Sequence, residues 1–404
     1  VGIKLKIEKI VAGGYGLARE NGKIYLVRGA YTGEDVEVSI EKDGKDVALC
    51  RVEKIKHASQ KRQKPICEHF GVCGGCDWMD LDYETQLEYK KEIFVDQIKH
   101  VAKVDVTKPA IIKTSPYGYR NKAEFVIKDG KLGYNSKNSH NFVEIKRCHI
   151  ISDKLNEMKG KVEKVDLKDF HHIVLREDGN KEMVIFVSQK KCEIPEIDAD
   201  EIISLVNRKH VVVSGEESVK KGKGFLIVKM DEIKYRLSAK AFFQISYEGA
   251  KILSQKVKEY AGSGKRLLDL YCGTGFFTLE LSKNFEKLTG IEESSASISN
   301  ANENAKSNGI SNVEFFSSKV ENFKFGTYDV IVADPPRAGI GKEIIQSIVQ
   351  ANPERFVYVS CDVTTFARDT HELEQKRYKI KDVTLVDLFP QTHHFEIVSL
   401  FERE

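Results

Sequence analysis

The stretch "YVSCDVTTFARD" sets a thiol, Cys361, directly behind an apolar run and in front of hydroxyls, an Arg and an Asp. Val357, Tyr358 and Val359 read as the end of a buried strand, so Cys361 emerges where strand gives way to loop. A thiol there is either a small hydrophobe or a nucleophile. Upstream, "ADPPRAG" ends another strand with Asp334 and Arg337, and downstream "FPQTHHFEIV" carries Glu396 into the last strand. A nucleophile with a carboxylate to move its proton is the chemistry such a set can do.

"LLDLYCGTGFFTLEL" places a glycine turn between an apolar strand and a helix. Gly273 and Gly275 let backbone approach a ligand closely, and the helix behind them offers free amides. Glu292, in "TGIEES", ends the next strand, where a carboxylate can take both hydroxyls of a ribose. The spacing is that of a dinucleotide fingerprint without its third glycine. It resembles the fold that binds S-adenosylmethionine, whose short glycine turn faces the amino-acid part of the cofactor. Two prolines after Asp334 stiffen the strand exit. Enzymes that methylate exocyclic amines commonly carry an aromatic there to stack the base; Arg337 stands in its place and suits a charge-bearing role.

A thiol and a carboxylate beside a methyl donor suggest one reaction. Carbon 5 of uracil is a poor nucleophile, and thiolate addition to carbon 6 makes it enolate-like and able to take a methyl group. A base must then remove the carbon-5 proton so that the thiolate leaves. An amine-methylating enzyme would need no such thiol, and an RNA-binding protein without catalysis would need neither group.

Cys67, Cys73 and Cys76 have the spacing C-x5-C-x2-C, and Cys148 follows far downstream in "KRCHI". Clustered cysteines in a chain that reads as cytosolic argue for metal ligation over disulfides. Four thiolates suit a structural zinc or an iron–sulfur cluster, and a triplet with one distant partner is the more cluster-like pattern. Cys50, Cys192 and Cys272 read as structural.

The elements that must position these groups fall into three parts. Residues 1–57 alternate apolar and polar positions in short runs broken by "AGGYG", "YTG" and "KDGK", which predicts a small β-barrel. The basic stretch "KIKHASQKRQK" reads as a linker across the boundary, and residues 58–239 then bring the cysteine segment, a helix from Asp82 to about His100, and the strand candidates "AEFVIK", "KLGYN", "HHIVLRE", "EMVIFVS", "HVVVSG" and "GFLIVKM", an α+β order. Residues 240–404 alternate strands and helices, including a helix over 276–284, which predicts a doubly wound sheet with its ligand at the carboxyl ends of the strands. The helix near 83–100 is expected to pack on this last domain. The fold class is thus multidomain α/β.

With 404 residues and a net charge of +3, the chain can build several cores but carries no global field, so a basic surface must be local. Its apolar runs fall far short of the ~20 residues of a membrane span. No membrane partner, a cytoplasmic location and a monomer are expected.

At this point the sequence resembles the RNA uracil-C5 methyltransferases that carry an iron–sulfur cluster. "CEHFGVCGGCDW", "YGYRNKAEFVI", "RCHI", "AFFQ", "LDLYCGTGFFTL", "DPPRAG", "SCDVTTFARD" and "FPQTHHFE" occur in that family's order. The resemblance implies Cys361 as nucleophile, Glu396 as base, and Gln244, Tyr271, Gly273, Gly275, Glu292 and Asp334 around S-adenosylmethionine. It implies a [4Fe-4S] centre on Cys67, Cys73, Cys76 and Cys148. Phe242 with Gln244 would hold a flipped uracil, with Asp334 and Arg337 beside it. The barrel resembles an OB-like TRAM module for RNA, with Tyr15, Tyr25, Tyr31, Lys23 and Arg28 as contributors; Arg120 and Lys122 are expected to meet phosphate. The RNA partner would be tRNA, at its T-loop uridine, ahead of 23S rRNA. Phe276, Lys319 and Val363 depart from residues common in the family.

Overall fold

The computed structural model describes residues 2–106, 108–137, 139–207 and 215–404. Strands β1 (Ile3–Lys6), β2 (Lys9–Val11), β3 (Tyr15–Glu20), β4 (Lys23–Arg28), β5 (Asp35–Asp43) and β6 (Val47–His57) form one sheet in the order β1-β5-β6-β4-β3-β2. The β3–β4 turn is Asn21-Gly22 with both residues at positive φ, the two-residue geometry that matches strand twist. Alternation in β5 turns Val36 and Val38 inward against Leu5, Ile7, Val27 and Ala48. The sheet curls until its ends meet, where Glu8 N donates to Leu17 O at 2.8 Å.

The stretch read as a basic linker is not one. β6 continues to His57, and Arg62 is an internal cation. Its guanidinium donates to Glu34 at 2.6 and 2.8 Å and pairs with Asp80. Glu34 is fully buried, so it must have a partner, and Arg62 is the residue in reach.

Helix α1 (Tyr83–Gln97) is capped by Asp82, whose carboxylate accepts from Thr85 N at 2.9 Å, and it runs on as a π-helical turn over Ile98–Ala102. Strand β7 (Ala110–Ile112) follows. The central sheet then takes β8 (Lys122–Lys128), β9 (Lys131–Asn135), β10 (Phe142–Glu144), β11 (Phe170–Glu177), β12 (Glu182–Ser188), β13 (Glu201–Val206) and β14 (Glu216–Lys221) in the order β10-β9-β8-β11-β12-β13-β14. Helix α2 (Asp153–Val162) covers one face, packing Leu155, Met158 and Val162 on Phe125, Ile173 and Phe186. The strand expected at "HVVVSG" lies, but for Gly215, outside the described residues.

Hairpin β15 (Phe225–Met230) and β16 (Ile233–Ser238) leads to α3 (Tyr247–Ala261). The C-terminal sheet is built from β17 (Gly264–Leu270), α4 (Phe276–Glu280), β18 (Phe285–Glu292), α5 (Ser295–Ser307), β19 (Val313–Ser317), β20 (Val330–Ala333), α6 (Lys342–Ala351), β21 (Arg355–Ser360), α7 (Val363–Gln375), β22 (Tyr378–Val386) and β23 (Glu396–Arg403). Its order is β19-β18-β17-β20-β21-β23-β22-β7. The apolar runs of β17, β20 and β21 are buried on both faces, as parallel strands under two helix layers must be. The chain leaves β17 in one direction and returns in the other at β20, which opens a crevice between their carboxyl ends. Helix α4 stops short of the expected 284, because Ser282 N and Oγ both donate to Leu279 O, at 3.1 and 2.7 Å.

Packing does not follow the boundary at 240. β7 pairs with β22 as the sheet's edge strand. α1 and its π-helical turn bury Ile93, Phe94 and Ile98 in one core with Phe366 of α7, and Lys90 forms a fully buried 2.6 Å ion pair with Asp387. The β15–β16 hairpin places Tyr235 OH 3.0 Å from Glu280 and shares the core of α3.

Candidate active site at the carboxyl edge of the sheet

Strand register brings the sequence's candidates to one edge. Leu270 lies beside Ala333, Ala333 beside Tyr358, and Ser360 opposite Ile397. Tyr271, Asp334 and Cys361 therefore leave their strands side by side, and Glu396, the first residue of β23, faces Cys361 across the antiparallel pair. Asp362 behind the thiol starts α7 by accepting from Thr364 N and Thr365 N at 3.0 and 2.9 Å. The "DPPRAG" loop is tied to the same helix: Thr365 Oγ1 donates to Arg337 O at 3.1 Å and Arg368 Nη2 to Ala338 O at 2.8 Å.

The electrostatics follow from that crowding. Burial pushes the Cys361 thiol up to about 12, and the carboxylates of Glu396 and Asp334 add to the rise while Arg337 opposes it. Burial, and then the charge of Asp269, pushes Asp334 up to about 7. Glu396 is raised well above the usual carboxylate range, first by burial and then by Asp334. Its Oε2 is buried without a hydrogen-bond partner among the described residues, and a carboxylate so placed is a strong proton acceptor.

Three successive odd positions shape the glycine turn: Tyr271, Gly273 and Gly275 have φ of 63°, 54° and 82°. Tyr271 pays the left-handed strain of a non-glycine residue, a conformation that surroundings must enforce. A side chain on Gly275 would sit 2.9 Å from Phe315, so only glycine lets α4 start there. Glu292 accepts from Gly273 N at 3.3 Å and Ser294 N at 2.7 Å, which fixes its carboxylate beside the turn. Sequence reasoning missed Asp269. It is fully buried at the end of β17, accepts from Thr278 N and Oγ1 at 3.0 and 2.5 Å, and its Oδ1 has no partner among the described residues. An acid inside the apolar run "LLDLY" was the signal.

Phe242 is two-thirds exposed while its neighbour Phe243 is buried, so the "AFFQ" loop presents one ring outward. Gln244 is half-buried, and Asn121 fastens its loop: Nδ2 donates to Gln244 O and N to Ile245 O, at 3.0 and 2.9 Å. The departures at Phe276 and Lys319 are explained by their surroundings. Phe276 is buried against Tyr235 and Phe243, and Lys319 is exposed and pairs with Glu293 at 3.6 Å.

A cavity of about 810 Å³ runs from Tyr15 and Arg28 of the barrel, past all four cysteines of the cluster motif, to Arg337 and His394. None of the eight cysteines forms a disulfide. Among the described residues no group of three or more His, Cys, Asp or Glu side chains is arranged to hold a single metal ion. Arg120 and Lys122 line the same cavity and do not project from the surface as the sequence suggested for phosphate contacts: Arg120 faces Cys76 and Tyr134, and Lys122 pairs with Glu124. Tyr31 is likewise not on an RNA face. It is buried, donates to Asp80 at 2.5 Å and packs its ring under Arg62. Lys23 pairs with Asp43, Tyr25 packs on the barrel core, and Tyr15 and Arg28 remain at the cavity mouth.

Comparison with known proteins agrees with this arrangement. Residues 261–395 match the family described as a methyltransferase domain, and residues 189–327 match the tRNA (Uracil-5-)-methyltransferase family. An uncharacterized RNA methyltransferase of Thermotoga maritima is 34% identical over 97% of both chains. A 23S rRNA (uracil(1939)-C(5))-methyltransferase of Shewanella halifaxensis is 29% identical, over 99% of this chain and 95% of its own. The solved structure of the Pyrococcus abyssi tRNA (uracil-54, C5)-methyltransferase in complex with S-adenosyl-L-homocysteine superposes with a TM-score of 0.81 at 25% identity, covering 99% of this chain and 100% of its own. The sheet order, the glycine turn and these full-length likenesses place the chain in the RNA uracil-C5 methyltransferase family, as an S-adenosylmethionine-dependent enzyme.

Proposed function

We propose that Cys361 and Glu396 carry out the methylation of carbon 5 of one uridine in a structured RNA. The observation that carries this reading is their position across the β21–β23 pair, with Asp334 and Arg337 alongside. The Cys361 thiolate bonds to carbon 6, and the electron pair of the ring double bond moves toward the carbon-4 carbonyl. Gln244, Tyr271, Gly273, Gly275, Glu292 and Asp334 would hold the cofactor, which would supply the methyl group to carbon 5 as its sulfur–methyl bond breaks and S-adenosylhomocysteine is left. Asp269 is the carboxylate at hand for the cofactor's ammonium. Glu396 then takes the carbon-5 proton, the double bond re-forms, and the thiolate leaves. Phe242, two-thirds exposed, would stack on the extruded base.

The test is to separate the two halves of this cycle. Glu396→Gln should accumulate an RNA–protein adduct that survives denaturing electrophoresis, and Cys361→Ala should form none. Rapid release of methylated RNA by Glu396→Gln would sink the assignment.

Cys67, Cys73, Cys76 and Cys148 would hold a [4Fe-4S] cluster. Their thiols border one cavity, Cys76 feels the other three and Cys73 feels Cys148 and Cys67, and Gly75 N donates to Cys73 Sγ at 3.4 Å. Four soft thiolate ligands suit such a cluster. The cluster would tie residues 67–76 to Cys148, and no step of methyl transfer runs through it. Protein purified without oxygen should contain iron and acid-labile sulfide; zinc without sulfide would refute the cluster.

The leading substrate is the T-loop uridine of tRNA, supported by the full-length likeness to the Pyrococcus enzyme. The Shewanella relative supports 23S rRNA as the second reading. Labelling total RNA with radioactive methyl donor, digesting it and mapping the labelled fragment decides between them.

A further inference from the structure

The loop from Asp387 to Phe395 delivers Glu396 to the site, yet its supports come from the opposite end of the chain. At its centre is Gln391, 1% exposed, with φ of 69°. Gln391 N donates to Gln86 Oε1 at 3.0 Å and Gln86 Nε2 donates back to Gln391 Oε1 at 3.1 Å, two amides paired across 305 residues. Gln391 O accepts from Asp77 N and Trp78 N at 2.9 and 3.0 Å, and Gln391 Nε2 donates to Pro116 O at 3.3 Å. Two further bonds brace the same loop: Tyr119 OH donates to Pro390 O at 3.1 Å, and His393 Nδ1 lies 2.8 Å from Asp77 Oδ2.

A left-handed backbone at a non-glycine residue costs energy and persists only where surroundings over-determine it. Here every hydrogen-bonding group of Gln391 is engaged by segments outside the C-terminal sheet. Cys361 and Glu396 share the β21–β23 ladder, Cys361 with the Asp362 cap of α7 behind it and Glu396 paired with Val386 of β22. The loop that leads into Glu396 adds a second support that Cys361 does not have.

We propose that Gln391, locked by Gln86, is a positioning residue for Glu396: it holds the loop in the one arrangement that presents the carboxylate to carbon 5. The proposal rests on the assignment of Glu396 as base. Because Asp77 and Trp78 directly follow Cys76, the same bonds connect the cysteine segment to that base. Loosening the loop should leave thiolate addition and methyl transfer nearly intact and slow only proton removal and release.

The experiment uses the full-length enzyme and whichever of two unmodified transcripts, a tRNA or a 23S rRNA fragment, the wild type methylates. Single-turnover methyl transfer, release of free methylated RNA and the denaturation-stable adduct are measured for wild type, Gln391→Gly and Glu396→Gln. Glycine accepts the left-handed backbone without strain, so Gln391→Gly removes the amide and keeps the turn. Release should slow by roughly tenfold or more, with adduct accumulating and methyl transfer changed by less than about threefold, the size of effect a misplaced catalytic group produces. If Glu396→Gln accumulates adduct while Gln391→Gly releases product like wild type, the positioning role is wrong and the base assignment stands. If Glu396→Gln also forms no adduct, the base assignment falls and this proposal with it. Should Gln391→Gly fail to fold, Gln86→Leu is read the same way. Equal loss of transfer and release, or failure of both variants to fold, would make the pair a packing element and overturn the proposal.

Discussion

Cys361 can add to a pyrimidine only as thiolate, and its surroundings keep the proton on it. Burial raises the thiol to about 12, and the carboxylates of Glu396 and Asp334 work in the same direction. The thiolate fraction therefore climbs throughout the accessible pH range and does not level off near the ordinary thiol value of about 8.5. Alkylation of Cys361 by iodoacetamide, followed by peptide mass spectrometry on the free enzyme, should speed up about tenfold per pH unit between about pH 7 and 9, the slope of a group far below its pKa. A plateau near about 8.5 would show a thiol unaffected by its neighbours. The same crowding implies that the thiol must hand its proton to an acceptor once substrate is bound. Glu396, raised by burial, is the group suited to receive and pass on protons there.

The element that supports this chemistry most is α1, far from it in the chain. Lys90 and Asp387 are each fully buried, and the Lys90 ammonium also reaches Phe389 O at 3.3 Å, at the start of the Glu396 loop. A buried pair adds little over a well-packed apolar pair, but removing one partner strands a charge. Lys90→Met alone should lower stability by about 3 kcal/mol or more, and the double variant Lys90→Met, Asp387→Leu should recover most of the loss. Chemical denaturation followed by tryptophan fluorescence checks this, since Trp78 is buried beside α1. Additive losses in the double variant would show that the two charges do not compensate one another.

On the proposed function, RNA would follow a path from Tyr15 and Arg28 toward Arg337, residues that line one cavity with the cysteine segment. The chain's net charge of +3 supplies no general attraction, so the few cations on this path must account for the electrostatic part of binding. Arg28 stands over the Tyr15 ring at 5.7 Å, a cation and an aromatic surface at the mouth. Arg28→Ala should weaken RNA binding and lower the slope of log Kd against log salt by about one, while single-turnover methyl transfer at saturating RNA is preserved. An unchanged salt slope would remove Arg28 from the RNA path.

The sequence by itself determined the chemistry-bearing edge. Strand periodicity, the glycine turn and the residues just past the strand ends are local signals, each decided by neighbours a few positions away, and they placed Tyr271, Asp334, Cys361 and Glu396 at the carboxyl edge without coordinates. Tertiary structure decided which polar residues face inward. Tyr31 and Arg120 look like RNA contacts and Arg62 like part of a linker, yet Asp80, the cysteine cavity and Glu34 claim them. Phe276 left the cofactor edge for the core because Tyr235 and Phe243 offered it a cluster. Strand β7 joined the catalytic sheet from the other side of the central domain. The physical reason is one of range: propensity and periodicity act over a turn or a strand, whereas the partner of Gln391 lies 305 residues away, and only packing brings such groups together.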